Sequence, residues 1–363
     1  MRIMYVVSNI RRCGPVSVVL SLVKNLSADN EVCVVSLFSD RKDDELIAVF
    51  KKAGANVKVL NLSKKLFVLN SRSFEGVVKS FKPDIIHSHG LQADIIVARL
   101  KNDAKKVSTL HSDIFVDYRY RLNKLISGVL VKYRVKLFKR FNKSICCSES
   151  VRDAMVPRIN LPLSFIRNGI NLDSPKTTDC KKIRNSIRKE FGISCDSTVF
   201  LYCGSLIRLK RVPELISLFK TYAKNNDYLV ILGGGQELEQ CREAATDNII
   251  VLGNCSDVYR YYIASDVYLS NSTSEGLSMS VLEALKYNNY LLLSNIPSHK
   301  ECLEMIPDLK YGELFDENGF AQALSKVSTN VKKQKITTCV YEISDKRMAD
   351  EYFATYKEML NEQ

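Results

Sequence analysis

No stretch of this chain is apolar for long enough to cross a bilayer. Runs such as Tyr5–Val7 with its flanks and Leu291–Leu293 fall far short of the ~20 residues a spanning helix needs. Met1 leads through Arg2 into a strand-like IMYVVS run, with no secretory apolar region and no small-residue cleavage site. A cytosolic protein is the expectation. The eleven cysteines, an odd number, form no CxxC pair, and Cys33, Cys146 and Cys203 sit inside apolar runs. They read as small core residues in a reducing compartment rather than as disulfide partners. Histidine is scarce: there are four, HSH at 87–89 is the only cluster, and no zinc-type spacing accompanies it. No metal and no cofactor are expected. GxGxxG and Walker-type loops are missing too, which argues against a dehydrogenase and a P-loop enzyme.

What is present is size, alternation and lopsided charge. A chain of 363 residues exceeds one comfortable core, so two domains are expected. Residues 1–170 hold 30 Lys and Arg against 14 Asp and Glu, a balance of +16, while the remainder carries −3. The first half is expected to face something anionic: nucleic acid, a membrane surface or a phosphorylated substrate. Short hydrophobic runs alternate with longer amphipathic stretches, which marks parallel α/β architecture. Strands are expected at 2–8, 31–36, 56–60, 84–88, 106–110, 143–147 and 163–166, then at 197–203, 228–233, 248–252, 266–270 and 290–294. The polar segment 171–195, with Pro175, holds the linker at its start and divides the chain into domains 1–172 and 173–344. A final helix over 345–363 is expected to pack back onto the first domain. Two doubly wound Rossmann-like sheets in tandem would turn the carboxyl ends of their strands to a central cleft.

Three loops carry candidate chemistry. SNSTSEGLSMSVLEAL (270–285) follows an expected strand and opens a helix. Its small residues let backbone N–H groups approach an anion, and the helix dipole adds attraction. The amides of 276–280, among them Gly276, Leu277 and Ser278, therefore form a natural diphosphate cradle. Glu275 lies in the loop and Glu283 eight positions on, where a carboxylate can take two hydrogen bonds from a ribose diol, each worth ~1.5–3 kcal/mol when charge-assisted. Glu275 would face the sugar beyond the diphosphate. The plainer reading is a solvated helix start with ordinary surface glutamates.

YCGSLIRLKRVPELISLF (202–219) ends a strand at Cys203, turns at Gly204 and places Arg208, Lys210 and Arg211 before a helix. Cations there suit a leaving diphosphate, and one such donor is worth roughly 100- to 1000-fold in rate. A solvated basic loop is the alternative. ILGGGQELEQ (231–240) is weaker alone, since any tight strand-to-helix turn favours glycine.

Taken in order, these motifs resemble glycosyltransferase family 4, a retaining family with the GT-B fold, and the resemblance covers nearly the whole chain. Glu275 and Glu283 match its E-x7-E motif. GSLIRLK matches its basic loop, with Gly204 and Ser205 at the turn and Lys210 on the diphosphate-binding lysine. LGN at 252–254, holding Gly253 and Asn254, matches the turn near the nucleotide base. IRNGINLD (166–173) resembles the hinge. PDIIHSHG (83–90) and STLHSD (108–113) resemble two histidine-bearing strand ends, with His111 beside the donor sugar; CGPVSVVLSLVKNL (13–26) resembles the first glycine turn, with Gly14 nearest the ligand. The chain departs from the family at Ser205, where arginine is common and Arg208 is the substitute candidate. It departs again at 286–290 (Lys-Tyr-Asn-Asn-Tyr), and at Arg11–Arg12–Cys13–Gly14–Pro15, which lacks a double glycine. Arg11, Arg12 and His89 are acceptor-side candidates; His87 stays open between site and core.

Residues 118–148 contain nine Lys and Arg and no Asp or Glu. Leu122, Leu125, Ile126, Val129, Leu130, Tyr133, Leu137 and Phe141 recur at helical spacing, with Lys132, Arg134, Lys136, Lys139 and Arg140 on the remaining surface. Such a segment suits an anionic membrane surface, or else packs on the sheet with its cations solvated. No nucleic-acid motif accompanies it. The expected protein is a metal-independent retaining glycosyltransferase on the inner face of the plasma membrane. It would move a hexose or N-acetylhexosamine from a nucleotide diphosphate sugar, preferably a UDP-sugar, to a lipid-linked saccharide. A nucleotide-sugar epimerase and a non-catalytic synthase partner are the rivals.

Overall fold

The computed structural model describes residues 1–27, 29–39, 44–63, 71–173, 175–305, 311–316, 318–330 and 341–362. It divides into two compact units, Met1–Asn171 with Ser344–Gln363, and Leu172–Ile343. The first unit holds β1 (Arg2–Val7), β2 (Glu31–Ser36), β3 (Asn56–Val59), β4 (Ile85–His89), β5 (Lys105–Leu110), β6 (Lys143–Cys146) and β7 (Ser164–Phe165), of which β1 and β2 are the Val-rich runs. They pair in parallel in the order β3-β2-β1-β4-β5-β6-β7. β4 is buried at every residue, and β1 at all but its first. That is why neither run alternates polar with apolar: a parallel sheet is covered on both faces.

The second unit holds β8 (Thr198–Cys203), β9 (Asp227–Leu232), β10 (Ile249–Gly253), β11 (Val267–Ser270), β12 (Tyr290–Ser294) and β13 (Gly312–Phe315). Their order is β10-β9-β8-β11-β12-β13, again parallel. In each sheet the strand order reverses once, at β1/β4 and at β8/β11. A crevice opens beyond the carboxyl ends of the strands at such a reversal, and ligands of doubly wound sheets bind there.

β13 was not expected from sequence. GELF is short, half-exposed and lies on the sheet edge, so it carries little hydrophobic signal. The polar segment after residue 171 contains a helix, Thr177–Glu190, that docks by charge more than by an apolar face. Its Arg184 and Arg188 reach Asp266 at 2.5 and 2.6 Å, and Arg188 also donates to the Ser197 and Ala264 carbonyls.

The helix Asp345–Asn361 is part of the first unit. Met348, Ala349, Tyr352 and Tyr356 are wholly buried there. Tyr356 bonds His87 Nδ1 at 2.6 Å, and Tyr352 bonds Thr109 at 2.9 Å. Asp345 N–H donates to the Ile170 carbonyl at 2.9 Å. At Gly169 a Cβ would sit 2.1 Å from the Ser344 carbonyl oxygen, so only glycine lets the chain re-enter this closely.

The basic segment differs from a single helix. Helices Ile114–Arg121 and Lys124–Phe138 are separated at Leu122–Asn123, where Asn123 Oδ1 caps the second by accepting from Ile126 N–H. Its inner face holds Val131, Arg134, Leu137 and Phe138. Leu137 is therefore core, and Arg134 is not a surface cation: it pairs with wholly buried Asp94 at 2.9 Å. The outer face exposes Leu125 (84%), Ile126 (53%), Val129 (69%) and Tyr133 (38%). No helix among the described residues is long and apolar enough to cross a membrane.

Candidate functional site

Both strongest motifs emerge at the β8/β11 reversal. After Cys203 the chain turns at Gly204, whose N–H donates to the Leu232 carbonyl at 3.0 Å. A single 3-10 turn, Arg208–Lys210, follows. Arg211 then adopts a left-handed conformation (φ 48°), held by its own side chain: Nε and Nη2 donate to the Asn271 carbonyl and Oδ1 at 3.0 and 2.9 Å. Thr273 N–H returns a bond to the Leu209 carbonyl at 2.9 Å. Loop 204–211 and loop 271–278 are thus one laced unit, and Arg211 serves as its tie rather than as a loose cation.

The triple glycine explains how this unit can form. A Cβ on Gly233 would lie 1.8 Å from the Gly204 carbonyl oxygen, and one on Gly235 2.1 Å from that of Leu206. Close backbone approach requires these glycines. Gly234 packs under the Asn254 amide, where a Cβ would be 2.7 Å from Nδ2. β10 shifts register between Val251 and Gly253, and Gly253 takes φ 77° to turn the chain there. Gly253 and Asn254 so stand beside the glycine turn.

At the centre, Lys210 Nζ contacts Glu275 Oε1, which also accepts from Ser272 Oγ at 2.7 Å. Both side chains are largely buried, at 17% and 12% exposure. Burial alone would raise the Glu275 pKa, but Lys210, His299 and Ser272 hold it below its ordinary value. The helix Met279–Lys286 begins here with Ser278 as N-cap and no side-chain cap bond. Val281 N–H already donates to the Ser278 carbonyl at 3.1 Å, so the Met279 and Ser280 amides and the helix dipole are what the first turn can offer an anion. Leu277 is core (3% exposed), so it can offer only its backbone. Gly276 is buried and Ser278 half-buried. Glu283, one turn inside, is half-buried; burial raises its pKa against the pull of Tyr262 and Lys286. Arg208 and Ser205 are exposed; Ser205 contributes its carbonyl to Tyr202 Oη at 3.1 Å.

In the first unit the candidates also gather at carboxyl strand ends. Gly14 opens the helix Gly14–Lys24 after β1, behind an extended Cys13 without a side-chain cap bond. Arg11 is exposed, and Arg12 pairs with Glu45 at 3.2 Å. His89 Nδ1 and His111 Nε2 lie 2.9 Å apart. Burial first, then neighbouring charge, keeps both neutral, with His111 pushed down to about 3. His87 is held by Tyr356 and Thr109 in the core, so it positions structure. Sequence reasoning missed Ser272, Asn271, Ser294 and His299, since serines and asparagines in loops carry no signal until their partners are known.

A model for "Glycosyltransferase Family 4" matches residues 13–174, and one for "Glycosyl transferases group 1" matches 183–342. The chain is similar to the O-antigen biosynthesis glycosyltransferase WclY of Escherichia coli, 28% identical over 84% of this chain and 83% of the relative. It is also similar to an E. coli UDP-Gal:alpha-D-GlcNAc-diphosphoundecaprenol alpha-1,3-galactosyltransferase, at 26% identity over 80% of this chain and 77% of that one. In fold it resembles Anabaena HepE, solved in complex with UDP, with TM-score 0.71 and 17% identity over 100% of this chain and 99% of that one.

Proposed function

The chain belongs to glycosyltransferase family 4 and has the GT-B fold, and from that premise we propose that it transfers a hexose or N-acetylhexosamine, with retention, from a UDP-sugar to a lipid-linked saccharide. Glycosyltransfer in bacterial surface-polysaccharide biosynthesis is the role its O-antigen and capsule relatives share. The observation that carries the reading is the Lys210–Glu275 contact at the uncapped start of Met279–Lys286. Lys210, exposed Arg208 and the first-turn amides receive the diphosphate. Glu283 takes the ribose hydroxyls, and Glu275 orients the sugar. UDP is favoured because one relative's name includes UDP-Gal and HepE was solved with UDP.

As the sugar C1–O bond to the diphosphate breaks, charge builds on the departing phosphate oxygen, where Lys210 and the helix dipole act. The acceptor hydroxyl attacks C1 from the same face and passes its proton to that oxygen. Glu275 is engaged through Oε1 by Lys210 and Ser272, an arrangement suited to orientation rather than nucleophilic attack. In the first unit, neutral His111 is the candidate for the donor sugar, while His89, 2.9 Å from it, and exposed Arg11 are the acceptor-side candidates.

The outer face of Lys124–Phe138 seats the protein on an anionic bilayer at the inner face of the plasma membrane. Leu125, Ile126, Val129 and Tyr133 enter the interface, and exposed Lys124, Lys132 and Lys136 meet lipid phosphates.

The test is incubation with UDP-, GDP- and dTDP-sugars and lipid-linked acceptors, following release of nucleoside diphosphate. Acceptor-dependent release from one donor, lost in Lys210→Ala, is expected. An altered nucleotide sugar formed without acceptor would make the protein an epimerase; no turnover and no donor binding would make it a non-catalytic partner.

A further inference from the structure

One side chain beneath the diphosphate loop has an unused atom. His299 lies in the helix Pro297–Glu304 after β12 and is wholly buried. Its Nδ1 donates to the Ser294 carbonyl at 2.9 Å. A carbonyl can only accept, so the proton sits on Nδ1 and Nε2 of the neutral ring carries a bare lone pair. That Nε2 is buried and has no hydrogen-bond partner among the described residues. Ser294 Oγ, 3.2 Å from the ring, donates to the Ser272 carbonyl at 2.6 Å, and Ser272 Oγ donates to Glu275 at 2.7 Å. The imidazole is wired to the back of the loop that holds the Lys210–Glu275 pair. Those two are the charged groups acting on it, while Lys300 and Glu301 adjoin it on its own helix. Burial foremost keeps the ring neutral in the free protein, against the pull of Glu275.

We propose that His299 is a positioning residue that takes up one proton when a diphosphate draws Lys210 away from Glu275. The proposal rests on the reading of Lys210 as the diphosphate ligand. With Lys210 on the phosphate, Glu275 would be a buried carboxylate stripped of its counter-ion, a strongly unfavourable state. A proton from solvent adds to Nε2; the Nδ1 bond to Ser294 is kept, Lys210 stays an ammonium and Glu275 stays a carboxylate. The imidazolium then supplies, through its field, the positive charge that balances Glu275, which Ser272 still holds, while the lysine serves the leaving group. Binding coupled in this way tightens as pH falls, by up to about tenfold per pH unit where uptake is complete.

With four histidines in the chain, each can be followed by NMR of the histidine-labelled full-length protein, with UDP as the probe and His299→Gln assigning the fourth signal. On saturation with UDP, the His299 ring signals are expected to move to imidazolium positions while those of His87, His89 and His111 stay. The pH dependence of UDP affinity should be shallower in His299→Gln than in wild type. Glu275→Gln gives a second arm if His299→Gln does not fold: with no charge to balance, His299 stays neutral in the UDP complex. UDP binding by wild type with His299 still neutral overturns the proposal and leaves the donor site intact. Failure of wild type to bind UDP overturns the donor reading and the proposal with it.

Discussion

Two buried ion pairs, one in each unit, are finished in opposite ways. Asp94 Oδ1 accepts from Ser88 and Ser108 at 2.7 and 2.8 Å, and its Oδ2 accepts from Arg134 at 2.9 Å. Arg134 also donates to Tyr118 at 2.7 Å and lies over the Phe138 ring, and among the described residues its Nε alone has no partner. In the Lys210–Glu275 pair both bonds converge on Oε1, and Oε2 has no hydrogen bond among the described residues. The cation is a flexible lysine instead of a planar fork. A pair closed on nearly every side pins two helices together and, through Ser88 and Ser108, to the sheet; a pair left half open can exchange partners.

The largest expected effect comes from opening the closed pair. Arg134→Leu should lower stability by about 3–5 kcal/mol in urea unfolding, because it strands the Asp94 charge, whereas adding Asp94→Leu should recover most of that loss. If the double variant is as unstable as the single, the pair is more than a pin. Next, Lys210→Ala should reduce kcat roughly 100- to 1000-fold, with a smaller fall in stability than Arg134→Leu. Equal losses of stability would erase the distinction between the two pairs.

The third effect depends on pH. Glu275 is held below its ordinary value of 4.5, burial notwithstanding. A carboxylate with a depressed folded pKa adds stability that is complete above the unfolded value and lost as pH falls through the folded one. The urea midpoints of wild type and Glu275→Gln should therefore differ at neutral pH and converge as the pH drops below 4.5. A gap that ignores pH would mean the carboxylate is not ionised in the fold. The smallest effect is a control on Arg134's own helix: Val129→Ser, on the exposed face, should change stability by no more than about 0.5 kcal/mol. It should still reduce sedimentation with anionic vesicles.

Much of this architecture is legible in the sequence, because buried parallel strands such as IMYVV and LLL in β12 are continuous apolar runs that little else imitates. β13 escaped because an edge strand needs no such run. The loops of the second unit were legible as places, through glycines and clustered charge, but not as a network. Nothing in the string SNST says that Ser272 will meet Glu275 or that Asn271 will hold Arg211. Periodicity also misjudged Arg134 and Leu137, since counting by threes and fours finds a face without saying which way it points. In the helix Lys124–Phe138 most of the expected apolar stripe points out, and the arginine points in.

The first unit is closed by residues that follow the whole second unit in the chain. His87 and Thr109 find their hydroxyl partners on Tyr356 and Tyr352, in a helix translated after every residue of the second unit. On the ribosome the first sheet therefore emerges with an apolar socket and unmet polar groups. It must wait through the synthesis of 172–343 before it can be sealed, while the second unit can complete its own core from a single continuous stretch. A chain stopped just before Ser344 would leave His87 and Thr109 without these tyrosine hydroxyls.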